Sequence, residues 1–271
     1  MVVQHNMQAV NTNRMLGQNV KAVQKSTEKL SSGYAVNRAA DDAAGLSISE
    51  KMRNQIRGLN QSVKNAEDGI SLIQTAEGNM NEIHSILQRM GELAIKARND
   101  VNASEDRRSI NDEVIQLKAE ISAITTKAEF NGTKLLNGGM SKGKTLQVGA
   151  NMGETMAISI KGTSLSNLGL TDASVSTGLK ASKAIGQIQS AIKNVSAQRS
   201  LLGAVQNRLE YTINNLENYS ENLTSAESNI RDTDMATEMV NYSKNNILQQ
   251  AAQSMLTQAN QSTQGVLNLL Q

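Results

Sequence analysis

No proline interrupts the 271 residues of this chain, and without that ring the backbone carries no built-in helix breaker. Ordinary usage of roughly 5% would supply more than a dozen, so long uninterrupted helices are the first expectation. The apolar spacing says where they run. Met52, Ile56, Leu59, Val63, Ala66, Ile70, Ile73 and Met80 follow steps of four and three that continue to Leu87 and Ala94, broken only at Glu77, His84 and Gly91. This is a heptad seam. A second column from Leu72 through Ala76, Ile83, Ile86, Met90, Leu93 and Ala97 widens the stripe enough to meet more than one neighbour. A helix from about Leu46 to Ala97 is on the order of 75 to 80 Å long at 1.5 Å per residue.

The same grid recurs at Ile110, Val114, Leu117, Ile121, Ile124 and Ala128, after a reversal at Asn99 to Ala103 with Ser104, Glu105 and Asp106 as cap and first turn. So short a connection makes that helix antiparallel to the long one. It recurs again from near Leu179, through Ile188, Ile192, Val195, Leu202, Leu209, Ile213, Leu216, Leu223 and Ile230. The middle differs in kind. Asn131-Gly132 and Asn137-Gly138-Gly139 are turn signals. Leu146 and Val148, then Met156, Ile158 and Ile160, alternate with polar residues around Gly149 to Gly153, which predicts a β-hairpin. Gly162 to Gly178, rich in Ser, Thr, Gly and Asn, reads as loop.

Both ends form a further class. From Asn245 to Gln271 there is no charged side chain, while Ile247, Leu248, Ala251, Ala252, Met255, Leu256 and Ala259 recur at helical spacing, with Leu267 and Leu270 beyond. The first twenty residues carry one formal charge, Arg14, and Val3, Met7, Val10, Leu16 and Val20, followed by Val23, are expected along one side of a helix. A short amphipathic helix is marginal alone, so the two ends are expected to complete one another or other copies, and to be unordered in the free monomer. The first helix should stop at Ser31-Ser32-Gly33, where glycine takes a left-handed cap. Asp41-Asp42 and Asp232 with Asp234 then open the helices that follow. The organisation is 1–44 as the first part of an inner domain with its link, 45–230 as a rod domain with a hairpin and loop insert near 139–178, and 231–271 as the second part of the inner domain. The fold class is mainly α: long antiparallel rods with coiled-coil-like packing, a small β-hairpin insert and paired terminal helices.

Composition narrows the function. One Phe, four Tyr and no Trp leave few of the rings that dominate a compact enzyme core, and no chemistry-bearing constellation stands out, so neither catalysis nor a cofactor is expected. His5 and His84, the only histidines, lie on different segments without carboxylates at ligand spacing, so no metal is expected. A net charge of +2 with interspersed signs argues against nucleic acid and against a polybasic membrane patch. No stretch approaches the roughly 20 apolar residues of a membrane span. Met1 to Asn6 lacks the basic and apolar regions of a signal peptide, so export is expected by another route. The absence of cysteine leaves the compartment open.

Several motifs are distinctive. Leu30-Ser-Ser-Gly33, Asn37-Arg-Ala-Ala-Asp-Asp-Ala-Ala-Gly-Leu46, Ile48-Ser-Glu-Lys-Met-Arg53, Asp68-Gly-Ile-Ser-Leu-Ile-Gln-Thr-Ala-Glu77, Glu129-Phe-Asn-Gly132, Gly203-Ala-Val-Gln-Asn-Arg-Leu-Glu210 and the Leu248 to Leu270 tail together resemble a bacterial flagellin. The resemblance leaves only about residues 139–178 without a distinctive match. It implies a homopolymeric subunit of the extracellular flagellar filament, of a minimal type with inner domains only. It also implies type III export, a flagellar export chaperone on the C-terminal helix, and contact with filament cap and hook-junction proteins. The stretch Leu87 to Lys96 resembles the flagellin segment read by Toll-like receptor 5, which carries Arg89, Leu93 and Glu113 over as receptor contacts, while Gly91 and Lys96 depart from the usual Arg and Gln. A hook-filament junction protein and a secreted helical receptor ligand are the alternatives.

Overall fold

The computed structural model describes residues 6–269, with side chains described through residue 262. Five helices and two small hairpins follow one another: α1 (Met7–Ser32), α2 (Ala43–Arg98), α3 (Ser104–Lys127), β1 (Glu129–Phe130), β2 (Thr133–Lys134), β3 (Lys144–Gln147), β4 (Thr155–Ile158), α4 (Gly178–Arg231) and α5 (Met235–Leu269). They form two compact units, residues 55–220 and the two chain ends outside them. The boundaries fall ten residues inside the expected 44/45 and 230/231. The first turns of α2 and the last turns of α4 belong with the ends, where Arg53 Nε approaches Glu227 Oε1 at 3.8 Å.

In the 55–220 unit the heptad seam is the core. Ile73, Met80, Leu87 and Ala94 from one column of α2 and Ala76, Ile83, Met90, Leu93 and Ala97 from the other are buried with Ile110, Val114 and Ile121 of α3 and Ala184, Ile188, Val195, Leu202 and Leu209 of α4. α4 runs antiparallel to α2: Ser220 Oγ lies 3.2 Å from Asn60 Oδ1, and Arg199 donates to Glu77 Oε1 at 3.4 Å. At Gly91, which interrupts the seam, Ile188 closes over the missing side chain. His84 is half-buried with Nε2 3.1 Å from Gln88 Nε2.

The middle holds more structure than the sequence suggests. Asn131 (φ 46°) and Gly132 (φ 72°) turn β1 into β2, which pair antiparallel with Glu129 opposite Lys134, so the strand-poor Asn-Gly turn is a hairpin ahead of the expected insert. β3 and β4 form the expected hairpin, Leu146 opposite Met156 and Lys144 opposite Ile158. The segment read as loop is irregular but only partly solvated. Leu168, Leu170, Ala173 and Val175 are buried, and Asn111 of α3 holds it through Oδ1, which accepts from Ser174 Oγ (3.0 Å) and Val175 N (3.1 Å). Lys118 Nζ adds donations to the carbonyls of Thr171 and Ala173. Ser104 is the first residue of α3 rather than its cap. Ala103 takes the cap position, and Asp106 Oδ2 turns back to accept its N–H at 3.2 Å.

Candidate assembly interface

The other unit is built around α1 and α5, which pack on each other. α1 starts where Asn6 Oδ1 accepts from Ala9 N at 3.0 Å and ends where Gly33, at φ 76°, donates to Lys29 O. The left-handed cap is where the sequence placed it. Two links follow the same logic. Asp42 Oδ1 accepts from the backbone of Ala44 and Gly45 at the start of α2. Asp234 does so for Ala236 and Thr237 at the start of α5, with Thr237 Oγ1 on its other oxygen at 2.7 Å. These donors, the Thr237 hydroxyl first, hold the Asp234 carboxyl below its ordinary range. The two links also meet: Tyr34 and Asp232 form an antiparallel bridge, Ala35 N donates to Arg231 O at 2.7 Å, and Thr233 N donates to Gly33 O at 2.9 Å. The Arg231 guanidinium sits 4.6 Å above the Tyr34 ring.

From that clasp the two helices run antiparallel to a second tie, where Asn6 Nδ2 donates to Ala259 O at 2.9 Å. Small residues let them approach. Ser26, Ala252 and Ala259 are buried in the seam, with Leu16, Val20, Val23 and Leu256 half-covered beside them. Near the free ends the seam opens into a groove of about 250 Å³ lined by Gln8, Asn11, Thr12, Met255, Gln258, Ala259 and Ser262.

Neither helix spends its whole apolar surface on this pairing. On α5, Val240, Ile247, Leu248, Ala251 and Met255 stay exposed, Ile247 at 66%. On α1, Met7 and Val10 are exposed on the side away from Leu16, Val20 and Val23. The expectation of a single stripe on α1 is therefore corrected to two. Met7 and Leu16 are nine positions apart, which at about 100° per residue sets them about 180° from one another, so the first and the later apolar residues point to opposite sides. On α5 the seven-residue step from Ala252 to Ala259 marks the face toward α1, while the steps of four from Ile247 to Ala251 and Met255 lie beside it. Val3 and Leu270 lie outside the described residues, as does His5, and Leu267 falls in α5 where only the backbone is described.

The other set of expected site residues lies on the 55–220 unit. Arg89 on α2 donates to Glu113 on α3 through both Nε (3.1 Å) and Nη2 (2.9 Å), and through Nη1 to Glu92 (3.2 Å); all three are exposed. The Glu113 carboxylate is the main reason the Arg89 guanidinium holds its proton even more firmly than usual. Leu93 is a different matter. It is 3% exposed and part of the core, so as a surface contact it is corrected: its place in the second apolar column of α2 turns it into the buried cluster.

Comparison with known proteins decides what these two units belong to. Residues 3–141 match the bacterial flagellin N-terminal helical region and residues 185–270 the bacterial flagellin C-terminal helical region. The chain is 52% identical to the flagellin of Halalkalibacterium halodurans and 47% identical to that of Bacillus subtilis, in each case across all of both chains. The chain belongs to the bacterial flagellin family. Its relation to the flagellar filament 33 kDa core protein of Treponema phagedenis is similar, 46% over the full length of both. Among solved structures, the crystal structure of Bacillus cereus flagellin is 30% identical, covering 56% of this chain and 88% of that one at a TM-score of 0.52. A putative flagellar hook-associated protein from Vibrio parahaemolyticus (13% identity, 71% of this chain, 100% of that one, TM-score 0.61) shares the fold alone. Flagellin-family membership makes this chain a structural subunit of the bacterial flagellar filament that assembles with copies of itself, and the junction-protein alternative is not favoured.

Proposed function

We propose that the chain joins the filament by laying the uncovered rows of α1 and α5 against the same helices of neighbouring copies. The observation that carries this is the division of each terminal helix into a covered face and an apolar face left open: Met7 and Val10 on α1, and Val240, Ile247, Leu248 and Met255 on α5. Covering what remains exposed of each such side chain contributes about 1 to 2 kcal/mol. Several together offset part of the roughly 1 to 2 kcal/mol per residue that ordering a backbone costs. The rod unit, closed on its own core, needs no such help. Work of this kind is mechanical, a tube of packed helices that transmits rotation outside the cell, and no catalytic step enters it.

The same open row on α5 supports an export chaperone that covers it before assembly, and filament cap and hook-junction proteins that meet it at the filament's ends. The exposed Arg89–Glu113 pair supports recognition by Toll-like receptor 5 of a host on that face of the rod, with Leu93 acting from beneath as packing. Electron microscopy and sedimentation of the purified chain, seeded with filament fragments, test the main reading. Long tubes from the full chain and none from a chain lacking residues 235–271 are expected. Permanently monomeric full-length material defeats it.

A further inference from the structure

Few side chains here can react with a mild two-electron oxidant. There is no Cys and no Trp, against twelve Met, so methionine thioethers are the only sulfur a peroxide can reach. The fold sorts most of them, with Met52 half-buried and Met1 outside the described residues. Met80, Met90 and Met140 are closed inside the 55–220 unit, with Met156 nearly so. Met7, Met15, Met235, Met239 and Met255 stand about half exposed or more on α1 and α5, and Met152 projects fully from the tip of the β3–β4 hairpin.

We propose that Met7 and Met255, the two that stand on the open rows beside Val10 and Ile247, form a peroxide-sensitive pair whose conversion to methionine sulfoxide blocks assembly of the free subunit. This rests on the reading that the open faces of α1 and α5 are the assembly surface. The chemistry is an oxygen transfer. A thioether lone pair attacks one peroxide oxygen, the O–O bond breaks, and sulfur is oxidised by two electrons as the S–O bond forms. The departing oxygen takes up the proton of the transferred one and leaves as water from hydrogen peroxide, or as an alcohol from an alkyl hydroperoxide. The product is a chiral side chain with a strongly accepting oxygen where an apolar one stood. On a free surface water satisfies that oxygen. Buried in a helix–helix contact it needs a donor, and Val10 beside Met7 and Ile247, Leu248 and Ala251 beside Met255 have none to give, which leaves only the polar side of the Met255 groove, Gln8, Asn11 and Gln258, to meet it. Once the contact has formed, the same packing keeps peroxide out, so the sensitivity belongs to the subunit before assembly.

The test uses the full chain, hydrogen peroxide, peptide mass mapping and seeded sedimentation. In the free subunit the exposed Met7, Met15, Met152, Met235, Met239 and Met255 should gain oxygen before Met80, Met90 and Met140. The concentration needed for assembly should then rise about ten-fold or more, as one or two buried unsatisfied acceptors imply. A variant with Leu at positions 7 and 255, close to volume-conserving, should assemble equally well before and after peroxide while Met15, Met152, Met235 and Met239 still oxidise. Should that variant not assemble even untreated, treatment of the oxidised natural chain with methionine sulfoxide reductases must restore assembly. Equal oxidation of buried and exposed methionines, or normal assembly of fully oxidised subunits, overturns the inference. Failure of the untreated natural chain to form filaments instead overturns the functional reading beneath it.

Discussion

Lys25 Nζ lies 2.9 Å from Asp41 Oδ1, tying the last turns of α1 to the link that opens α2. The Lys25 ammonium, and next to it the Arg38 N–H, hold the Asp41 carboxyl below its ordinary 3.8, and Asp41 in turn raises Lys25 above 10.5. A lowered folded value on the acid gives stability that is present above 3.8 and is lost as pH falls through the lower folded value. A raised folded value on the base gives stability present below 10.5 and lost as pH rises through the higher one. Asp41→Asn should therefore destabilise the end unit by a small, pH-independent amount between those limits. The gap to the natural chain should close in acid and again in strong base, read from thermal unfolding across pH. Both groups are solvent-accessible, so added salt should narrow the gap as well.

Two glycines of α2 should respond to alanine with opposite signs. At Gly91 a new Cβ lands 3.8 Å from Ile188 Cγ2, an ordinary contact, so Gly91→Ala should add about 0.5 to 1 kcal/mol from helix propensity alone. At Gly58 the same atom would stand 2.9 Å from Ala150 Cβ and 3.3 Å from its Cα, neither of which can rotate away. Gly58→Ala should lose about 1 to 3 kcal/mol by overpacking against the β3–β4 turn. Denaturant midpoints of the two variants, compared with the natural chain, check both.

Asn111→Ala should release the segment 163–177 without unfolding the rod. It removes the acceptor for Ser174 Oγ and Val175 N, leaving the backbone donor of the buried Val175 unpaired at a cost of about 1 to 3 kcal/mol. Faster amide exchange confined to residues near Val175, with the α2 seam unchanged, is the expected signature. Leu87→Ala, by contrast, cuts into the fully buried seam and should cost about 2 to 5 kcal/mol across the whole unit.

Where the sequence was legible, a repeating physical constraint made it so. The α2 seam from Leu59 to Ala94 could be read because burial repeats every seven residues for about ten turns. Gly33 and Asp234 could be read because a helix end needs a left-handed residue or a side-chain acceptor whatever surrounds it. The β1–β2 hairpin has two residues per strand, too few for any alternation, and only its Asn131-Gly132 turn left a trace. Leu168, Leu170, Ala173 and Val175 lie in a segment whose local composition says loop, and their burial is decided by Asn111 and Lys118 on a distant helix. The terminal helices show a subtler limit. Ile247 and Ala252 both carry apolar side chains at helical spacing, and spacing alone cannot tell the face meant for α1 from the face left for another molecule. Leu93 was misplaced for a related reason, since resemblance names a residue without saying how deep it sits.

Capping of α5 offers a further check on how its start is held. Asp234→Ala removes the acceptor for Ala236 N, Thr237 N and Thr237 Oγ1, so amide exchange over the first turn of α5 should quicken, while Asp234→Asn, which keeps a side-chain acceptor, should recover most of the protection. Acidification through the lowered carboxyl value should mimic the alanine change, because protonation weakens a cap that is stabilising only above it.

On the proposed reading, other copies complete the open apolar faces of α1 and α5. Hydrogen exchange measured residue by residue on free subunits and on assembled filaments tests it most directly. Protection of amides in α1 and α5 that rises sharply on assembly, while the α2, α3 and α4 seams stay as they were, is the predicted result. Terminal helices equally protected in both states would contradict it.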